Sequence, residues 1–290
     1  MTPVFNSKRA RQSELLQLLL LDTLYSLSGT GQLIFHGGTA LRWIHGGPRF
    51  SEDLYFVTGA TIKEVGLLWK RSRSKMVLAC VAQFGPGLLE QQIKSSRREA
   101  FKAFCIYRPQ SQRERVAVKL EVERLSAGRL PENEPHILRD LQAVSGLMTA
   151  GQLILPYTSS IVIAETPLEI LSDKIRALYE RPFLKGRDIF DLWWLVKHRR
   201  LTPNWSTVRK KLDMYQINFK AARRPDFFQS PDSRPAIREA LDADLPRFIP
   251  PNLLDVYRAE GYEDFIGTTD TVMAGLLGQG LKEYLDAHRL

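Results

Sequence analysis

Phe35-His36-Gly37-Gly38-Thr39-Ala40-Leu41, followed by Arg49-Phe50-Ser51-Glu52-Asp53-Leu54-Tyr55-Phe56, decides the reading of this chain. An apolar run, Leu33 to His36, breaks into a glycine pair, and Thr39 to His45 has helical character with Thr39 as the expected cap. Gly46-Gly47-Pro48 ends that helix. Ser51 to Val57 then reads as a second strand. Its alternation puts Ser51, Asp53 and Tyr55 on one face and Glu52, Leu54 and Phe56 on the other. Two glycines between strand and helix let backbone N–H groups approach an anion, which the helix N-terminus favours. The Gly-Lys-Ser/Thr ending of a P-loop is absent. Taken alone, the turn is also a tight strand-to-helix connection, and Asp53 also an ordinary strand-end carboxylate.

Outward from this stretch, Ser7 to Leu27 reads as a folded helix. Lys8, Arg9 and Arg11 before a leucine-rich run suggest a signal peptide, but Glu14, Gln17 and Asp22 interrupt the run at amphipathic spacing, and no small-residue cleavage site follows. Ile62 to Cys80 is expected to be one helix carrying Lys70, Arg71, Arg73 and Lys75. Phe101 to Arg108 and Arg115 to Leu125 are expected to pair as strands. In the second, alternation places Lys119, Glu121 and Glu123 on one face. That face is either solvated or a source of further carboxylates. Ala127 to Pro135 reads as a loop, and Leu153 to Ala164 as two short strands.

The character changes near residue 165. Thr166-Pro167-Leu168-Glu169 is a helix start. Helical patterns follow over 167–180, 186–198, 204–213, 234–245, 251–260 and 269–288. The expected organisation is a first domain over 1–165 and a helical domain over 166–290. Lys174 and Arg181 share a helix face, as do Asp188 and Asp191. A lysine and an aspartate brought together from two helices either serve a triphosphate or form a buried salt bridge.

The 290 residues carry 41 Lys and Arg against 32 Asp and Glu, a formal charge of +9. Such an excess favours a polyanionic partner, nucleic acid first. Lys70 to Lys75, Lys197 to Arg200, Arg209 to Lys211, and Arg223-Arg224 are candidate phosphate contacts. Cys80 and Cys105 show no disulfide or metal spacing, which fits a reducing cytoplasm. No run of about 18 apolar residues suggests a membrane span.

In this order, Gly-Gly-Thr-Ala-Leu (37–41), Arg-x-Ser-x-Asp-Leu (49–54), Asp-Lys-x-x-Ala-Leu-x-x-Arg (173–181) and Arg-Asp-x-x-Asp-Leu (187–192) resemble the AbiEii nucleotidyltransferase family. That family includes toxins of AbiE-type systems and the MenT group of mycobacteria. The resemblance implies an α+β fold: a DNA-polymerase-β-like core with a mixed sheet, followed by a helical C-terminal domain. It implies a toxin of a toxin–antitoxin system, of the kind found in phage defence, that uses Mg²⁺ and an NTP to add nucleotides to RNA. For MenT-like members the acceptor is the 3′ end of tRNA, and a cognate antitoxin neutralises the toxin. Residue by residue, it implies Asp53, Lys174 and Asp188 as catalytic. Gly37, Gly38, Thr39, Arg49, Ser51 and Lys174 are implied for the nucleotide, and Asp53 with Glu121 for the metal.

Tyr55 departs from the pattern, because the family has Asp there. A phenol supplies neither the charge nor the ligand strength of a carboxylate. Three explanations stay open: a natural chain with weakened catalysis, a metal site completed by Glu121 or Glu123, or an inactivating substitution. The expectation is an intact fold and nucleotide pocket with reduced catalysis. The alternative is a non-catalytic RNA- or partner-binding protein with a degenerate metal site.

Overall fold

A computed structural model of the chain describes residues 6–157 and 160–289. The chain divides into two compact units, one of Ser7–Thr166 and one that begins at Pro167.

The first unit is built on a seven-stranded mixed sheet. Helix α1 (Ser7–Tyr25) precedes β1 (Leu33–His36), α2 (Gly37–Trp43) and β2 (Leu54–Thr58). Helices α3 (Ile62–Arg71) and α4 (Arg73–Phe84) follow, then β3 (Gly87–Ser96), β4 (Ala100–Pro109), β5 (Val116–Arg124), β6 (Asn133–Ile137), α5 (Gln142–Thr149) and β7 (Ile161–Glu165). The strand order is β3-β4-β5-β2-β1-β7-β6. β1 runs antiparallel to β2 and parallel to β7, while β2 and β5 are parallel. Phe35, Leu54, Phe56, Val118, Leu120 and Val122 fill the apolar side of the central strands.

Leu15 to Tyr25 of α1 are all buried, so this helix is enclosed rather than amphipathic. The polar residues expected to face water each find a partner instead, as buried polar groups must. Glu14 pairs with Arg42 at 2.9 Å, Gln17 reaches Ser51, and Asp22 accepts a 2.6 Å bond from Ser160. Among the described residues, no helix is long and apolar enough to cross a membrane.

Several expected boundaries move. The helix after the glycine turn begins at Gly37, with His36 at the cap position, so Thr39 is not the cap. β2 begins at Leu54, and Ser51 to Asp53 form the approach to it. The basic helix expected over 62–80 is two helices meeting at Ser72. The loop expected over 127–135 ends in the edge strand β6, whose Pro135 suits a strand with one unpaired side. Of two strands expected over 153–164, β7 forms; residues 153–157 are not a strand, and 158–159 lie outside the described residues.

The second unit is helical: α6 (Pro167–Glu180), α7 (Gly186–Lys197), α8 (Trp205–Leu212), α9 (Arg234–Asp244), α10 (Pro251–Ala259), α11 (Glu263–Leu276) and α12 (Lys282–Ala287). The single helix expected over 269–288 is broken where Gly280 adopts φ 122°. Ile170, Leu171, Ile175 and Leu178 of α6 and Ile189, Phe190 and Leu192 of α7 are buried. This is the i, i+3, i+4 pattern of two helices that share a core.

Candidate active site

The sheet register brings four polar side chains into one row. His36 on β1 lies opposite Tyr55 on β2, Tyr55 opposite Glu121 on β5, and Glu121 opposite Lys102 on β4. The glycine turn sits at the β1 end of this row. Gly37 adopts φ 76°, and a Cβ on Gly38 would fall 2.2 Å from Nη2 of the buried Arg49. Glycine at 38 is what lets this guanidinium lie against the turn. Arg49 Nη1 also donates 2.8 Å to the Phe50 carbonyl.

Thr39 ties the turn to the acidic strand. Its fully buried hydroxyl donates to the Asp53 main-chain carbonyl and lies 2.7 Å from Ser51 Oγ. Behind Ser51, Gln17 Nε2 donates 2.7 Å to the Ser51 carbonyl, and Trp43 Nε1 donates 3.1 Å to Gln17 Oε1. Thr39 and Ser51 are thus bonded together beside Asp53, with Arg49 lying against Gly38. Gln17 was missed in sequence because nothing in a leucine-rich helix links it to residue 51.

The carboxylates are already engaged. Lys119 Nζ lies 2.9 Å from Asp53 Oδ2 and 2.7 Å from Glu121 Oε1. Lys102 Nζ holds the other Glu121 oxygen at 2.7 Å. Tyr55 donates its hydroxyl to Asp53 Oδ2 at 3.0 Å, and its ring lies 5.9 Å from the Lys119 ammonium. Burial opposes charge on both Lys119 and Glu121. Even so, Glu121 and Asp53 raise the Lys119 ammonium above its ordinary range, and Lys102 with Lys119 lower the Glu121 carboxyl below its own. The β4–β5 register reveals Lys102, which sequence reading passed over.

Nucleotidyl transfer generally draws on a divalent cation held by gathered carboxylates. The side chains as placed do not fit that ion. A phenol stands where the resemblance implies a ligand, and an ammonium bridges the two carboxylates. An entering dication would meet carboxylates whose charge Lys119 and Lys102 already neutralise. Its entry would leave the ion, Lys119 and Lys102 sharing two carboxylates, an unfavourable balance.

In the helical unit, Lys174 of α6 reaches Asp188 at 2.9 Å and Asp191 at 2.7 Å, both on α7. Arg181 also pairs with Asp188. Asp188 is buried, which penalises its charge, but Lys174, Arg181 and Arg187 outweigh that and hold its carboxyl well below the usual range. Next to it, the fully buried Lys211 pairs with Glu169 at 2.9 Å and Asp173 at 3.3 Å. Lys211 is therefore not an exposed phosphate contact as expected. Nor is Arg223, which is buried and donates to the Leu178 and Arg181 carbonyls. Lys70, Arg71, Arg73, Lys197, Arg199, Arg200, Arg209, Lys210 and Arg224 are exposed, and Lys75 is half-buried.

A mixed sheet carrying a glycine turn beside strand carboxylates, with a helical region after it, is the nucleotidyltransferase arrangement. JHP933 of Helicobacter pylori shares the fold at TM-score 0.55 and 18% identity, over 98% of each chain. A second structure from the same organism, described as a candidate nucleotidyltransferase, aligns at TM-score 0.54 and 18% identity, also over 98% of each chain. The comparison with curated proteins finds no match. The AbiEii nucleotidyl transferase toxin family, a type IV toxin–antitoxin system, matches residues 19–265, and the chain belongs to that family.

Proposed function

We propose that this chain is a cytoplasmic toxin that transfers nucleotide units from a nucleoside triphosphate to RNA. Its acceptor is the 3′ end of tRNA, and a cognate antitoxin restrains it. The observation that carries this reading is the clasp of the glycine turn on the acidic strand, in which Thr39 binds Ser51 and the Asp53 main chain beside Arg49. Such a clasp supports a phosphate cradle of backbone N–H groups, hydroxyls and one guanidinium.

In the proposed reaction the RNA 3′-hydroxyl oxygen bonds to the α-phosphorus. The bond from that phosphorus to the bridging oxygen breaks, pyrophosphate leaves, and the hydroxyl proton passes to solvent. Gly37, Gly38, Thr39, Arg49 and Ser51 hold the departing phosphates. Asp53 faces the reacting phosphate, and Lys174 contacts the triphosphate. Asp188, kept ionised by its cations, suits orienting the hydroxyl better than taking up its proton. Tyr55 in place of a carboxylate makes the transfer slow.

The test incubates the protein and its Tyr55→Asp variant with total tRNA and each labelled nucleoside triphosphate, with and without Mg²⁺. Label is expected in RNA with at least one nucleotide, and more of it with the variant. No label from either protein with any nucleotide rejects the reading.

A second reading, a non-catalytic RNA-binding protein on the same fold, draws support from the Lys119 bridge between Asp53 and Glu121. It predicts salt-sensitive RNA binding that is unchanged by Asp53→Ala and by Mg²⁺.

A further inference from the structure

We infer that Lys119 is a built-in cation that takes the place of a divalent metal between Asp53 and Glu121, so that this chain binds its nucleotide without one. The inference rests on the proposed nucleotide site and specifies how that site is neutralised.

The geometry is that of a bridged ion. One ammonium meets a carboxylate oxygen from the approach to β2, at 2.9 Å, and another from β5, at 2.7 Å. Three donors on one nitrogen suit this task, because Lys119 can hold two anions and retain a third N–H. Lys102 closes the remaining Glu121 oxygen, and the Tyr55 hydroxyl is bonded to the same Asp53 oxygen that Lys119 uses. Two carboxylates and two ammoniums leave this cluster with no net charge to attract a dication. Tyr55 and Lys119 act in the same direction: the first removes a ligand that a metal needs, and the second neutralises the ligands that remain. A carboxylate at position 55 would face Glu121 across the β2–β5 pair, where Lys119 and Lys102 together would not balance three negative groups. The phenol is what makes the two ammoniums sufficient. Bound triphosphate is then balanced by Arg49, the turn N–H groups and the third Lys119 N–H.

The test has two arms on the full-length protein. Mn²⁺ binding is titrated by electron paramagnetic resonance for the wild type, Lys119→Met and Lys119→Met/Tyr55→Asp. A fluorescent ATP analogue is titrated in EDTA and in Mg²⁺. Wild-type Mn²⁺ binding is expected to be weaker than about 1 mM, and to tighten about tenfold or more in Lys119→Met and further in the double variant, as carboxylate charge is released. Nucleotide affinity is expected to change by less than about twofold between EDTA and Mg²⁺. Wild-type Mn²⁺ binding as tight as that of Lys119→Met, or nucleotide binding that is lost in EDTA, overturns the inference. A protein that binds no nucleotide in either buffer instead defeats the proposed function, and the Mn²⁺ arm still decides the role of Lys119. Circular dichroism of each variant checks folding. Should Lys119→Met not fold, Lys119→Gln, which keeps a polar group at that position, takes its place in the Mn²⁺ arm.

Discussion

Gln17 Nε2 donates to the Ser51 carbonyl at 2.7 Å, which joins the enclosed helix α1 to the approach to β2. The amide works in both directions, because its Oε1 accepts from Trp43 Nε1 at 3.1 Å. Ser51 in turn lies against Thr39, so the pose of the glycine turn depends on a side chain outside the site.

Gln17→Leu should therefore lower both stability and nucleotide affinity. Leucine fits the volume but leaves the Trp43 N–H and the Ser51 carbonyl without this partner, at a cost of about 1–3 kcal/mol for each group that stays unsatisfied. Urea unfolding measures the first effect and titration of a fluorescent nucleotide the second. A destabilised variant with unchanged nucleotide affinity would show that the Ser51 approach holds its shape without α1.

Gly38→Ala separates the two effects. The added methyl falls 2.2 Å from Arg49 Nη2, so the guanidinium must move, while alanine gains up to about 1 kcal/mol of helix propensity. Stability should change little. Nucleotide affinity should fall about tenfold or more, the worth of one charge-assisted phosphate contact. Arg49→Lys, which keeps charge but not the fork, should show a similar loss of affinity. If both variants bind nucleotide like the wild type, Arg49 serves the fold and not the ligand.

Much of this site was legible from residue order, and the limits are physical. Alternation along β5 put Lys119, Glu121 and Glu123 on one face, and the register selects Glu121 as the residue opposite Tyr55. Alternation says nothing of counter-ions. That Lys119 bridges Asp53 and Glu121, and that Lys102 joins them, depends on strand pairings made over long sequence separations. Edge strands β3 and β6 escaped because Glu90-Gln91-Gln92 and Glu134-Pro135 lack the alternation that a half-buried strand imposes. The polar residues of α1 misled for the opposite reason: Gln17 and Asp22 follow a solvent-facing rhythm, yet their partners are 34 and 138 residues away. The helical unit was read more directly, since Pro167 and the apolar spacing after it act locally.

Asp188 offers a test that uses pH. Its carboxyl titrates below the ordinary range because Lys174, Arg181 and Arg187 outweigh its burial. A folded-state value below the unfolded one stabilises the fold above the unfolded value and loses that contribution as pH falls through the folded value. The window therefore opens at the unfolded value, about 3.9, and extends downward. Asp188→Asn keeps the shape but removes the charge, leaving Arg181 and Lys174 with less compensation. At pH 7 it should cost about 3–5 kcal/mol, the usual result of breaking a buried pair. From pH 7 to about pH 4 the gap between wild type and variant should stay constant, and below that it should narrow as the carboxylate of the unfolded wild type takes up a proton that the folded state does not yet bind. Urea unfolding at pH 7, 5, 4 and 3 measures it. A gap that persists unchanged to pH 3 would mean that packing at position 188, and not the Lys174 and Arg181 pairs, holds α6 to α7.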